Sequence, residues 1–169
     1  MIRKCIEADL ETVYTIINDA AQAYKGVIPD DRWHEPYMSV EELRHEIEAG
    51  VTFWCLEQDG RLTGVMGVQD RGDVTLIRHA YVLTHAQKKG IGTRLLTHLE
   101  RMIQGPILIG TWADAIWAIS FYRKNGYTLL SEKEKNALLR KYWSIPKRQA
   151  ETSVVLASRK WKRIGLGPG

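Results

Sequence analysis

Cysteine is scarce in this chain of 169 residues: only Cys5 and Cys55 occur, far apart and with no metal-type ligand spaced beside either. They read as reduced, buried thiols, and no metal centre is expected. The opening MIRKCIEADLE has no apolar core of signal-peptide length, and no run approaches the roughly 20 apolar residues that a membrane span requires. Internal repeats and low-complexity segments are lacking as well. Acidic residues run short only towards the end, where residues 131–169 hold ten Lys/Arg against three Asp/Glu and leave the rest of the chain mildly acidic. The run Arg159-Lys160-Trp161-Lys162-Arg163 has the basic and aromatic character that suits phosphates and bases, but it reads more simply as part of a solvated, flexible tail over 158–169. Neither a membrane nor a nucleic acid is therefore an expected partner, and the expected location is the cytoplasm. What is present is ordinary: 44% hydrophobic and 26% charged residues suit one globular domain over 1–169 with a single large core.

Hydropathy periods divide that domain into strands and helices. Residues 2–6 form a short apolar strand. Asp9 stands as a cap before Leu10, Val13, Tyr14, Ile17, Ala20 and Ala21, whose spacing draws one apolar stripe along a helix. The segment 24–38 breaks every period with Gly26, Pro29 and Pro36, yet it is too rich in aromatics and charge for a plain linker. Ser39 and Glu42, at capping-box spacing, start a second helix that closes near Gly50. Two strands, 51–57 and 61–68, are joined through Asp59-Gly60, a strong hairpin signal, and a turn at 70–73 leads to a third strand at 74–82. Then come a helix lined by Ile91, Leu95, Leu96, Leu99, Met102 and Ile103, a buried strand at 107–111, a helix within 112–125 that turns Ile116, Ile119 and Tyr122 inward, and a strand at 127–130. Ser131 and Glu134 repeat the capping-box spacing for an added helix within 131–150. A last β-branched strand at 152–157 reads as exposed and able to pair across a homodimer.

The chain is organised around the stretch from His79 to Met102, HAYVLTHAQKKGIGTRLLTHLERM. It reads as strand, glycine loop and helix. In Gln87-Lys88-Lys89-Gly90-Ile91-Gly92 the small residues let backbone N–H groups converge where a helix begins, and with about half a positive charge from the helix dipole they suit a phosphate. Lys88, Lys89 and Arg94 add mobile positive charge. The strand at 107–111 completes a βαβ unit, so the two strands should be parallel neighbours with a right-handed crossover. Two glycines alone are equally compatible with a mere tight turn.

A second motif decides between the readings. Phe121-Tyr122-Arg123-Lys124-Asn125-Gly126-Tyr127 follows the first at the right place in the element order, and with both motifs in hand the chain resembles the GNAT family of N-acetyltransferases. The first fits that family's coenzyme A signature, Gln/Arg-x-x-Gly-x-Gly/Ala. The second fits its aromatic pair, charged turn and Gly-Phe/Tyr. The resemblance covers 1–130 and the closing strand, and leaves 131–150 as an insertion. It implies an α/β fold with a central mixed, mostly antiparallel sheet of about seven strands flanked by helices, whose splayed parallel pair binds acetyl-coenzyme A. The pyrophosphate is implied to rest on the backbone N–H groups of Lys88, Lys89, Gly90, Ile91, Gly92 and Thr93, with Gln87 a further cofactor-binding residue, and the pantetheine arm is implied to run alongside Tyr81, Val82 and Leu83. Tyr122 matches the family's general acid. Two departures stand out: Thr84 where the family often has proline, and Ala115 where it often has an asparagine that bonds the cofactor.

Acetyl transfer to an amine needs a base, because an amine of pKa about 10.4 is rarely neutral at pH 7 and its deprotonation is worth roughly 4–5 kcal/mol. The family often places a glutamate in the fourth strand, whereas 74–82 holds no carboxylate. His79 is the best local substitute; Asp73, or His34 or Glu35 acting directly or through water, are the alternatives. The resemblance implies an oxyanion contact from a backbone N–H near Tyr81 or Val82 at a bulge. Asp30, Asp31 and Glu35 can attract a cationic amine, and Trp33, His34, Glu35 and Tyr37 are the candidate substrate residues. Trp54, Trp112 and Trp117 read as core or pocket wall. The expected function is acetyl transfer from acetyl-coenzyme A to a primary amine of a small molecule, by direct attack in a ternary complex. A protein N-terminus or lysine is the alternative acceptor, and a coenzyme A sensor without chemistry is the rival that the presence of Tyr122 argues against.

Overall fold

Both residues of the Asp59-Gly60 step take positive φ, 52° and 76°, the backbone of a two-residue hairpin whose twist matches the strands it joins. This turn folds β2 (Thr52–Gln58) onto β3 (Arg61–Asp70), and β4 (Thr75–Val82) pairs antiparallel with β3. The short β1 (Ile2–Lys4) borders β2. β5 (Ile107–Trp112) lies parallel to β4, and the crossover between them runs through α3 (Ile91–Met102). β7 (Ser153–Ala157) then pairs antiparallel with β5, and the two-residue β6 (Thr128–Leu129) with β7. The structure, a computed structural model describing residues 1–161, thus holds a seven-stranded mixed sheet in the order β1-β2-β3-β4-β5-β7-β6.

The alternation of side chains assigns the helices to faces. α1 (Leu10–Ala20) and α2 (Val40–Glu48) cover one face, packing Val13, Ile16, Ile17 and Leu43 on Phe53, Cys55 and Val65. α3 and α4 (Ile116–Lys124) cover the other, where Leu95, Leu96, Leu99 and Tyr122 meet Met66, Ile77, Ile109 and Leu156. The segment after β6 holds two helices, α5 (Glu132–Tyr142) and the unanticipated α6 (Lys147–Glu151). Leu138, Leu139 and Tyr142 of α5 pack on Leu76, Leu108 and Val155, which alternate with the residues under α3. Both serines cap their helices, Ser39 Oγ accepting from the Glu42 N–H at 3.1 Å and Ser131 Oγ from the Glu134 N–H at 3.2 Å, but the glutamates meet the serine hydroxyls instead of the N-cap N–H, so only half of each capping box forms.

Several local expectations are corrected. Asp9 does not cap α1. Its carboxylate takes two bonds from Arg3, at 2.8 and 3.0 Å, and one from the Ile6 N–H at 2.8 Å, because a guanidinium is the stronger partner. The Cys5 and Cys55 thiols and the Asp9 carboxylate gather within 4.8 Å, but both Asp9 oxygens are already engaged. Met102 and Ile116 are 49% and 73% exposed, since each occupies the open end of its helix. The closing strand is not an exposed edge: β7 is held on both sides, with Val155 and Leu156 fully buried, so dimer pairing through it has no free edge to use at 156–157. The basic tail begins docked. Ser158 Oγ accepts from the Ile107 N–H at 2.9 Å, Lys160 Nζ donates to the Gln104 carbonyl at 2.6 Å, and Trp161 packs beside α5. The remainder of the expected flexible tail, 162–169, lies outside the described residues. Among the described residues no helix is long and apolar enough to cross a membrane.

Candidate active site

β4 and β5 pair only where Thr75–Ile77 meets Ile107–Ile109, and then diverge while β4 runs on to Val82 and β5 to Trp112. A bulge starts this splay. The β3–β4 register shifts between Val65 and Gly67, and His79 takes φ of 54°. Gly67 makes the bulge sterically feasible, since a Cβ there would stand 2.8 Å from the Arg78 carbonyl oxygen. Cavities open on both faces of the wedge.

The larger, of about 760 Å³, runs between β4, α3 and α4. At the start of α3, Gly90 takes φ of 79° and offers no side-chain cap, and Lys88 takes φ of 65°. Among the described residues the N–H groups of Lys88, Lys89 and Gly90 donate to nothing, and those of Ile91, Gly92 and Thr93 form the first helical turn, which has no intrahelical acceptor. Such a cluster of unpaired N–H groups fits a pyrophosphate. Gln87 Nε2 donates to the Val82 carbonyl at 3.2 Å and fixes the loop against its strand. Gly92 has a packing role as well: a Cβ there would lie 3.2 Å from the Phe121 ring, so the two sequence motifs meet face to face. Thr84 uses the N–H that proline lacks, donating at 2.8 Å to Asp19 of α1. Ala115 is fully buried and gives α4 no side-chain cap. Of the candidate cofactor residues, Tyr81, Val82, Gln87, Lys88, Gly90, Ile91, Gly92 and Thr93 line this groove, whereas Leu83 turns into the core and Lys89 points to solvent.

The smaller cavity, of about 120 Å³, lies under the other face, walled by Tyr24, Tyr37, Arg78, His79, Tyr81, Thr111 and Trp112, and by Leu139, Trp143, Ile145 and Gln149 from the segment after β6. The two cavities share Tyr24, Ala80, Tyr81, Ala118 and Tyr122. Trp112 Nε1 donates to the Tyr37 hydroxyl at 2.7 Å, and Trp117, 46% exposed, stacks on Tyr24. Burial holds the phenols of Tyr24, Tyr37, Tyr81 and Tyr122 above their ordinary range, so at neutral pH each can give a proton and none can take one.

Among the candidate bases, His79 borders the smaller cavity, with its Nε2 3.3 Å from Glu46 Oε1 and its ring 6.0 Å from Phe53. Asp73 sits at the far end of β4 beside Tyr142. His34 is exposed with Nδ1 2.8 Å from the Pro36 carbonyl oxygen, and Glu35 is exposed and paired with Lys25. Asp31 is held by Arg148 at 3.1 and 3.3 Å. Of Trp33, His34, Glu35 and Tyr37, therefore, only Tyr37 reaches the cavity, and Trp33 and His34 instead stack on it. Tyr24, Arg78, Glu46, Trp143 and Gln149 escaped the sequence reading, because each is separated from its spatial partners by long stretches of chain.

Residues 49–129 match the family model described as an acetyltransferase (GNAT) domain. Among solved structures the chain is similar to the PaiA N-acetyltransferase from Thermoplasma acidophilum in complex with coenzyme A, at 19% identity over 94% of this chain and 97% of that one, with a TM-score of 0.68. It is similar to the ribosomal-protein-S18-alanine N-acetyltransferase from Escherichia coli at 18% identity, 94% and 92% coverage and a TM-score of 0.65. N-acetylglutamate synthase from Neisseria gonorrhoeae, complexed with coenzyme A and N-acetyl-glutamate, matches at 22% identity over 95% of this chain but 35% of its own, with a TM-score of 0.64. At these identities the likeness is one of fold. Curated proteins return no match.

Proposed function

We propose, from the match of residues 49–129 to the GNAT acetyltransferase domain, that the chain transfers the acetyl group of acetyl-coenzyme A to the primary amine of a small molecule by direct attack in a ternary complex. The observation that carries this reading is the meeting of a long groove and a small chamber at one wall that contains Tyr122. Acetyl-coenzyme A supplies an acetyl group activated as a thioester. The N–H groups of Lys88 to Thr93 hold its phosphates, and the free edge at Tyr81 and Val82 guides the pantetheine arm. A backbone N–H at the β4 bulge meets the negative charge that develops on the acetyl oxygen. Tyr122, kept neutral by burial, protonates the departing sulfur. His79 takes the proton of the amine, a task closed to the four buried phenols.

The chamber supports a small acceptor. About 120 Å³ is room for a compact amine, and the Arg148–Asp31 pair ties α6 to the 24–38 loop beside it. We read 131–150 as an insertion into a single cytoplasmic domain that serves as this wall. A polypeptide N-terminus is the second reading, favoured by the fold likeness to the ribosomal-protein-alanine enzyme. Thiol release from acetyl-coenzyme A, followed over a panel of small amines and short peptides, tests both. Turnover with amines and not with peptides is expected. The reverse pattern overturns the small-molecule reading, and silence with every acceptor leaves a sensor.

A further inference from the structure

We propose that Glu46 is a positioning residue for acetyl transfer: it fixes the His79 imidazole with the proton on Nε2 and so leaves Nδ1 as the nitrogen that accepts the proton of the amine. The inference rests on reading His79 as the base. β4 carries no carboxylate of its own, and the fold brings one in from α2. Glu46 Oε1 stands 3.3 Å from Nε2, with both side chains largely withdrawn from solvent, at 20% and 15% exposure. The bulge makes this encounter: with His79 at φ of 54°, Arg78 and His79 both lean across β3 towards α2 instead of alternating between faces.

The proton assignment follows from the chemistry of the facing atoms. A bare Nε2 would set its lone pair against a carboxylate oxygen, so the N–H must lie on that side. Nε2 is buried and makes no formed hydrogen bond among the described residues: its 3.3 Å approach to Glu46 falls short of hydrogen-bond geometry, and no other acceptor competes for its proton. Glu46 is kept ionised for the task. Burial alone would push its carboxyl up, but His79 and the Arg78 guanidinium, 3.3 Å away, outweigh that and hold it below its usual range. Arg78 is in turn fixed by Gln69 Oε1 at 3.2 Å. In the reaction the nitrogen–carbon bond forms and the carbon–sulfur bond breaks. The proton of the amine passes to Nδ1 and then to solvent, the sulfur takes the proton of Tyr122, and a proton returning from solvent restores the phenol, so that no net proton is gained or lost from the neutral amine.

Removal and replacement of the imidazole separate positioning from mere packing. Glycine suits φ of 54°, so His79→Gly keeps the bulge and opens an imidazole-sized gap beside Glu46. With an amine that the enzyme turns over, His79→Gly should lower kcat about 10²-fold or more, and free imidazole should restore at least about tenfold of that. In His79→Gly/Glu46→Gln the restoration should shrink about tenfold, because nothing then orients the added ring. Glu46→Gln alone should lower kcat about tenfold with the KM for acetyl-coenzyme A unchanged, and Glu46→Asp should recover part of it. If His79→Gly works at the unmutated rate, the base reading itself fails. If it is impaired and imidazole rescues equally with and without Glu46, or if Glu46→Gln keeps the full kcat, the positioning role alone is overturned. Should the double variant not fold, the imidazole concentration for half-rescue in His79→Gly against His79→Gly/Glu46→Asp decides the matter, equality counting against the proposal.

Discussion

The donor groove and the acceptor chamber share a wall but are made of different material. The groove's phosphate end and strand edge are built from main chain, an uncapped helix start, two residues at positive φ and a strand edge freed by the splay, all within the stretch from Tyr81 to Thr93. The chamber is built from side chains delivered by the 24–38 segment, β4, β5, α4 and the segment after β6, from distant parts of the chain. A ligand common to a whole family can be held by backbone that many sequences reproduce. An acceptor that distinguishes one member from another must be read by side chains, and here those are mainly aromatic.

Substitutions that strike one region, the other, or the shared wall can break this division. Tyr122→Phe at the shared wall should have the largest effect, lowering kcat about 10²-fold or more with both KM values nearly unchanged; a full rate in steady-state assays removes Tyr122 as the acid. On the donor side, Gly90→Val forces a branched residue to φ of 79° at a cost of about 1–3 kcal/mol and misaligns the N–H cluster. The KM for acetyl-coenzyme A should rise about tenfold, corresponding to roughly 1.4 kcal/mol, while that for the amine stays put. On the acceptor side, Tyr37→Phe leaves Trp112 Nε1 without its partner, and the KM for the amine should rise by about 3- to 10-fold, an unsatisfied buried donor costing roughly 1 kcal/mol or more. A shift in the acetyl-coenzyme A KM instead would show that the regions are not separable.

The smallest effect should come from outside both. Arg3 holds the Asp9 carboxyl below its usual range, so the stability the pair adds, about 1 kcal/mol after solvent screening, is fully present above the unfolded value near pH 4. It is lost as the pH falls through the lower folded value. Asp9→Asn should flatten that part of the acid unfolding profile and leave both KM values alone.

The same division explains what the sequence could reveal. The hairpin at Asp59-Gly60, both serine caps, the βαβ unit and the loop at 87–92 are local patterns, and each was legible from spacing alone. Asp9 misled because its partner, Arg3, lies outside the helix signal it imitates. The 24–38 loop misled in a different way. Its charge was visible, but two of its three carboxylates, Glu35 and Asp31, are spent on Lys25 and Arg148, the latter far along the chain. Glu46 gave no signal at all: in α2 it is one more glutamate on a charged helix, until a bulge two strands away turns His79 towards it.

Of the described strands β7 is made after all the others and yet sits between β5 and β6. While the ribosome is still extending the chain, everything through Leu129 can be in place with a vacancy at the centre of that half of the sheet. β5 then holds its neighbour β4 over only three residue pairs and shows an unpaired row of N–H and C=O groups on its other side. Residues 153–157 must slide into that slot after α5 and α6 have been synthesised, a late non-local pairing of the kind that folds slowly and leaves edges open to other chains. Loss of these five residues would therefore expose far more than their own length, and the nascent protein is most in need of shelter in the interval before Ala157 emerges.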